Sequence, residues 1–140
     1  MELGIPELRE RTKQVARQAF NKVRSVSGGE FVGELLELEF GQYATSILEV
    51  VDEMVAEKSQ VCRADYIFTQ ANTLAVALVD ADIVLTGSAR LRFRRPVYLK
   101  EKIYARAVLA RKRSNKYPIK VVSKVGAEEV FVGKFIVVAR

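Results

Sequence analysis

The 140-residue sequence predicts an α+β fold, an antiparallel sheet curled around one long buried helix, and three observations carry that reading. The stretch Ala64 to Asp80, ADYIFTQANTLAVALVD, has the length of a long helix and is apolar on nearly every side. Segments with strand-like alternation lie both before and after it. The last three of those segments are separated by short turns, which call for an antiparallel meander. A helix apolar all round belongs in a core or a membrane. Its longest unbroken apolar run, Leu74 to Val79, is far too short to span a bilayer, which leaves the core.

The first element is an amphipathic helix over residues 5–26. Pro6 suits the first helical position, and Glu7 and Glu10 follow in the turn where acids are favoured. Leu8, Thr12, Val15, Ala19 and Val23 recur at spacings of three and four, giving one narrow apolar stripe. Arg9, Arg11, Lys13, Arg17, Lys22 and Arg24 lie mainly off that stripe. Such a helix docks on a surface, links two domains or touches nucleic-acid phosphates. Gly28 and Gly29 end it, and residues 30–140 form the sheet-and-helix domain.

Phe31 to Phe40 alternates as an amphipathic strand, and Gly41-Gln42 turns the chain into a second strand from Ala44 to Val51. Asp52 to Gln60 is polar and loop-like, with Met54 and Val55 as anchors. The central helix follows. Ile83 to Val97 then shows the cleanest alternation in the chain. Leu85, Gly87, Ala89, Leu91 and Phe93 fall on one face, and Thr86, Ser88, Arg90, Arg92 and Arg94 on the other. Pro96 belongs at the end of this strand, where no ladder donor is needed. Lys102 to Arg113 is the next strand, with Ile103, Ala105, Ala107 and Leu109 inward. Ser114-Asn115-Lys116 turns into Tyr117 to Val125, and Gly126 to Glu128 turns into Val130 to Ala139.

Composition narrows the chemistry. The chain contains no histidine and a single cysteine, Cys62. Ser-His-Asp and Cys-His catalysis, histidine metal sites, an intramolecular disulfide and multi-cysteine zinc sites are thereby excluded. No signal-peptide pattern opens the sequence, so a cytoplasmic location is expected, with no membrane association. The net charge of +6 suits either an anionic partner or a lysine-rich surface. Asp52, Glu53, Asp65, Asp80 and Asp82 sit where turns and helix starts favour carboxylates, and none is spaced for proton sharing.

Arg63 directly precedes a helix whose first amides are free, so guanidinium and helix N-terminus can converge on one anion. An exposed arginine at a loop-to-helix junction is the plainer reading. Asn72 lies about 12 Å along the helix from Ala64, too far for one small group to touch both Arg63 and Asn72 within one chain. A long ligand spans them, or a second subunit supplies Asn72, or the amide simply bonds backbone. Arg90, Arg92, Arg94 and Arg95 form the densest basic cluster; they bind phosphates, or Glu34, Glu37 or Glu39 neutralise them across the sheet.

IPELRER at Ile5 to Arg11, SILEV at Ser46 to Val50, FTQANTLAVALVD at Phe68 to Asp80 and RLRFRRPV at Arg90 to Val97 together resemble the FapR family of bacterial regulators of fatty acid and phospholipid biosynthesis. The similarity covers essentially the whole chain. It implies a hot-dog domain at residues 30–140, preceded by a linker helix at 5–26. It also implies a homodimeric, non-catalytic repressor that binds malonyl-CoA or malonyl-acyl carrier protein and then releases operator DNA. No cofactor beyond that effector is implied. The resemblance further implies that operator DNA is read by an N-terminal helix-turn-helix, expected to lie outside this sequence.

By position, the resemblance assigns Arg63 to the malonyl carboxylate and Asn72 to contact from the facing protomer. Leu85 is assigned to the lining of the acyl pocket. Ala64 departs from the family's glycine, placing a methyl group beside the ligand's approach. The leading alternative is an acyl-CoA thioesterase of the hot-dog superfamily, with Asp65 or Glu53 as the acidic group. Weak, salt-sensitive nucleic-acid binding through the linker helix and the arginine strand is a third reading.

Overall fold

Six strands and one helix run in the order β1 (Glu34–Glu39), β2 (Tyr43–Glu49), α1 (Ala64–Ala77), β3 (Val84–Phe93), β4 (Lys102–Leu109), β5 (Lys116–Val125) and β6 (Glu128–Ala139). The structure, a computed structural model, describes residues 32–140. The helix expected over residues 5–26 therefore lies outside the described residues.

All six strands belong to one sheet in the order β1-β2-β4-β5-β6-β3, and each neighbouring pair is antiparallel. Short turns bring β4, β5 and β6 together as the sequence expects. The placement of β2 beside β4, and of β3 on the far edge beside β6, follows from the excursion of the chain through α1. The loop between β2 and α1 holds a short 3-10 turn at Asp52–Met54, and its Val55 and Cys62 form an isolated bridge.

The helix packs against β2, β4, β5, β6 and β3, closing one face of the sheet. Ile67, Ala71, Leu74, Ala75 and Leu78 are buried with Ile103, Ala105, Ala107, Ile119, Val121, Phe131, Phe135 and Val137. Alanines on both packed faces let helix and sheet approach closely. A side chain such as Leu74, fully buried here, contributes about 1.5–3 kcal/mol by leaving water.

Two polar residues of α1 are bonded in different ways, Thr73 within the helix and Gln70 to the sheet. Thr73 Oγ1 donates to the carbonyls of Thr69 and Gln70, at 2.8 and 3.2 Å. Gln70 is fully buried; its Nε2 donates to Ser46 Oγ at 3.2 Å and to the Ile103 carbonyl at 3.1 Å. Its Oε1 has no partner among the described residues.

Several strand ends shift, with β4 stopping at Leu109 rather than Arg113, and two further sequence readings change. The helix stops at Ala77 rather than Asp80, because Leu78 and Val79 turn their amides onto Ala75 and Val76 in a tighter final turn. The Leu78 carbonyl is then free to accept the Gly41 amide of the β1–β2 turn at 3.0 Å.

The second change concerns β3. Thr86 stands opposite Val137 and Ser88 opposite Ile136, so Gly87 is the extra residue of a bulge. A one-residue insertion flips every side chain beyond it. Ala89, Leu91 and Phe93 therefore share the helix side with their partners Phe135, Gly133 and Phe131, while Leu85 points to the other face. A Cβ on residue 87 would lie 3.0 Å from Val138 Cγ2 and 3.3 Å from the Ile136 carbonyl oxygen, which accounts for the glycine. The strand ends at Phe93, leaving Pro96 outside the ladder.

Candidate functional site

The N-terminus of α1 is fastened from both sides. The Cys62 amide donates to the Val97 carbonyl at 2.7 Å, and the Arg63 amide to the Met54 carbonyl at 2.8 Å. Arg63 is the N-cap, with extended backbone and no side-chain cap bond. The first-turn amides of Ala64 and Asp65 accordingly have no acceptor among the described residues.

The Arg63 guanidinium is held without being neutralised. Its Nη2 donates to the Glu53 carbonyl at 2.9 Å and to the Tyr66 hydroxyl at 3.1 Å, and its Cζ lies 5.2 Å from the centre of the Tyr66 ring. Among the described residues no carboxylate pairs with it. The remaining donors stay available at an exposed position beside the helix N-terminus. Asp65, exposed in the first turn, offsets part of the helix dipole there. Ala64 is exposed and adjoins Arg63.

Asn72 occupies the middle of the helix and is half-buried. Its Oδ1 accepts from Thr86 Oγ1 at 2.6 Å, across to the helix side of β3. That bond fixes the amide orientation and leaves the Nδ2 donors without a partner among the described residues. Leu85 is 51% exposed on the face of β3 away from α1. The structure thus groups Arg63 with Ala64 and Tyr66, groups Asn72 with Thr86, and sets Leu85 on the opposite side of the sheet.

Sequence reasoning missed Tyr66 and Thr86. Tyr66 carried a signal, since residues three apart on a helix are neighbours. Thr86 carried none, because its meeting with Asn72 depends on where β3 docks.

Cys62 is a poor nucleophile in this setting. Burial first, and then the charge of Asp65, push its thiol up to about 11, so it stays protonated at neutral pH. Among the described residues no group of three or more Cys, Asp or Glu is placed to hold a metal ion.

The basic cluster of β3 splits. Arg95 forks onto Glu101, Nη1 to Oε1 at 3.1 Å and Nη2 to Oε2 at 3.2 Å, and its Nε lies 3.0 Å from Glu128 Oε2. The Glu101 carboxyl falls below its ordinary range, chiefly because Arg95 bonds its charged form. Arg94 pairs with Glu129 at 3.4 Å. The acids considered as neutralisers, Glu34, Glu37 and Glu39, belong to β1 at the opposite edge of the sheet and do not reach β3. Glu37 instead accepts from Tyr43 and Thr45.

No protein-family model matches the chain. It is 45% identical over 139 residues to Transcription factor FapR of Thermoanaerobacter sp. (strain X514), covering 99% of the chain and 70% of that protein. With Transcription factor FapR of Bacillus subtilis (strain 168) it shares 43% over 138 residues, 96% of the chain and 73% of that protein. Among solved structures, an uncharacterized protein, PH1136, from Pyrococcus horikoshii superposes with a TM-score of 0.74 at 28% identity, over 79% of this chain and 84% of that one. A point mutant of the phenylacetic acid degradation protein PaaI from Thermus thermophilus gives 0.70 at 18% identity, over 79% and 95%. The protein smu.793 from Streptococcus mutans UA159, solved bound to acetyl CoA, gives 0.68 at 14% identity, over 77% and 88%. The shared architecture is the hot-dog fold. No helix among the described residues is long and apolar enough to cross a membrane.

Proposed function

Because the chain belongs to the FapR family of transcription factors, regulators of fatty acid metabolism rather than enzymes, we propose that residues 30–140 are its effector-binding module and sense malonyl-CoA, or malonyl carried on acyl carrier protein. Binding in the cytoplasm would release a DNA-reading segment from its operator. The observation that carries this reading is the Arg63 guanidinium. It is oriented by the Glu53 carbonyl and the Tyr66 hydroxyl and, among the described residues, lacks a carboxylate and adjoins first-turn amides without an acceptor. A malonyl carboxylate supplies what that arrangement lacks, a planar anion for bidentate pairing.

The same reading calls for a homodimer. On β3, an edge strand, Leu91 and Phe93 expose apolar surface on the helix side. Pairing of two β3 edges would cover that surface and the unpaired backbone groups. The helix rise separates Arg63 from the Asn72 of its own chain, so the partner subunit's Asn72 would complete the site with its unengaged Nδ2.

Calorimetry with malonyl-CoA, acetyl-CoA and free CoA tests the proposal. A hydrogen bond to a charged group contributes about 1.5–3 kcal/mol, which corresponds to a preference of roughly 10- to 140-fold for malonyl over acetyl. Arg63→Ala should remove that preference and leave free CoA binding unchanged. Equal affinity of wild type for all three ligands would overturn the assignment of Arg63. Release of free thiol above background would indicate a thioesterase instead.

A further inference from the structure

The face of the sheet turned away from α1 carries a charge arrangement that the fold does not require. Arg90 on β3 stands directly opposite Lys134 on β6, and Lys134 directly opposite Lys120 on β5. Like charges at opposed positions destabilise a sheet. This row crosses three adjacent strands, about 10 Å at the usual strand spacing. Among the described residues no carboxylate pairs with any of its members, since Glu129 is engaged by Arg94, and Glu101 and Glu128 by Arg95. Arg92 extends the charge along β3, two residues and about 7 Å from Arg90, and Arg94, paired with Glu129, follows just past the strand's end. Together they border an open groove of about 510 Å³ with Val132 in its lining.

Several occupants fail on chemistry. A second copy of this face would meet its own cations. The segment 5–26 is itself basic in sequence and would be repelled. A nucleotide would find no aromatic side chain in the lining on which to stack its base. Every polar side chain in the lining is a donor only. An acidic protein surface presents donors as well as carboxylates, and those donors would go unanswered. A phosphodiester backbone presents acceptors only, repeated along a line, with sugar carbons to cover Val132.

We propose that this groove binds the sugar-phosphate backbone of duplex DNA without reading its sequence, as a contact surface additional to any segment that reads the operator. Phosphates there offset the repulsion between Arg90, Lys134 and Lys120. The contact does not depend on the ligand bound at Arg63.

The test uses the whole chain and a labelled duplex of random sequence, followed by fluorescence anisotropy between about 50 and 200 mM salt. The row variant combines Arg90→Ser, Lys120→Ser and Lys134→Ser. A control combines Arg111→Ser, Lys112→Ser and Arg113→Ser, removing the same charge from the β4–β5 connection. The row variant should bind at least about 10-fold more weakly and lose about two to three units of the log-log salt slope. It should also unfold at a higher temperature than wild type, because repulsion is relieved. The control should keep most of the affinity. Absence of salt-sensitive binding by wild type, wild-type binding by the row variant, or an equal loss in the control would each overturn the proposal. Displacement of the duplex by polyglutamate as efficiently as by unlabelled duplex of equal charge would overturn it in favour of an acidic protein partner.

Discussion

Thr86 donates its hydroxyl proton to Asn72 Oδ1 at 2.6 Å, tying the middle of the buried helix to the edge strand of the sheet. Thr86→Val keeps the shape of the side chain and leaves a half-buried amide oxygen unpaired, which costs about 1–3 kcal/mol. We expect a lower urea midpoint at unchanged slope. If the Asn72 amide serves a ligand across the dimer, malonyl-CoA affinity should fall as well, since the amide is no longer held in one orientation. Calorimetry on the same variant reads that second effect.

Ala64→Gly tests the glycine that the family resemblance implies at the first helical position. Removing the methyl beside Arg63 should strengthen malonyl-CoA binding several-fold. It should cost under about 1 kcal/mol of stability, the usual helix penalty for glycine. A titration that shows unchanged or weaker binding would mean the methyl does not crowd the ligand.

Gly133 lies on the buried face of β6 between two fully buried rings. A Cβ there would come within 2.5 Å of Phe135 Cε2 and 3.1 Å of Phe131 Cε1. The Phe135 ring is also packed on Phe68, centroids 6.1 Å apart, so it has little room to retreat. Gly133→Ala should destabilise by about 1–3 kcal/mol through overpacking, as measured by thermal or urea unfolding.

Cys62 makes stability fall at high pH. The folded chain holds the thiol proton up to about 11, against an ordinary value of 9.0. Through that interval the unfolded chain binds fewer protons, so the folded state loses stability as pH rises from about 9 to about 11. Cys62→Ala should lack this component. The stability difference between wild type and Cys62→Ala should therefore shift in favour of the variant across that window, and a constant difference would contradict the buried, protonated thiol. At neutral pH the native thiol should react slowly with iodoacetamide and become reactive on unfolding.

Leu91 and Phe93 test the dimer. Leu91→Lys places a charge on the apolar edge of β3 and should shift the chain to monomer in sedimentation velocity. Helical content in circular dichroism should be retained, because Leu91 is 41% exposed and lies outside the core. A wild-type monomer would remove the basis for a contribution from the partner subunit's Asn72.

The buried character of α1 and the meander of β4, β5 and β6 were legible in the sequence because they rest on local periodicity and short turns. Arg63 was legible as an N-terminal cation because helix geometry alone places it beside unpaired amides. Three features were not. The bulge at Gly87 reversed the predicted face of Leu85, and the glycine there answers to the closeness of Val138 and Ile136, distant in sequence. The Asn72–Thr86 bond exists because β3 docks beside β6, next to the helix. The row Arg90–Lys134–Lys120 exists only in the register that the sheet adopts.

Among the described residues, the sequence by itself determined which segments are helix or strand and which face of most of them is apolar, since these depend on neighbours a few positions away. Tertiary structure decided which strands pair, in what register, and hence which polar groups meet. Register is set by long-range packing of the apolar faces, and shifting one strand by a single residue exchanges its two faces.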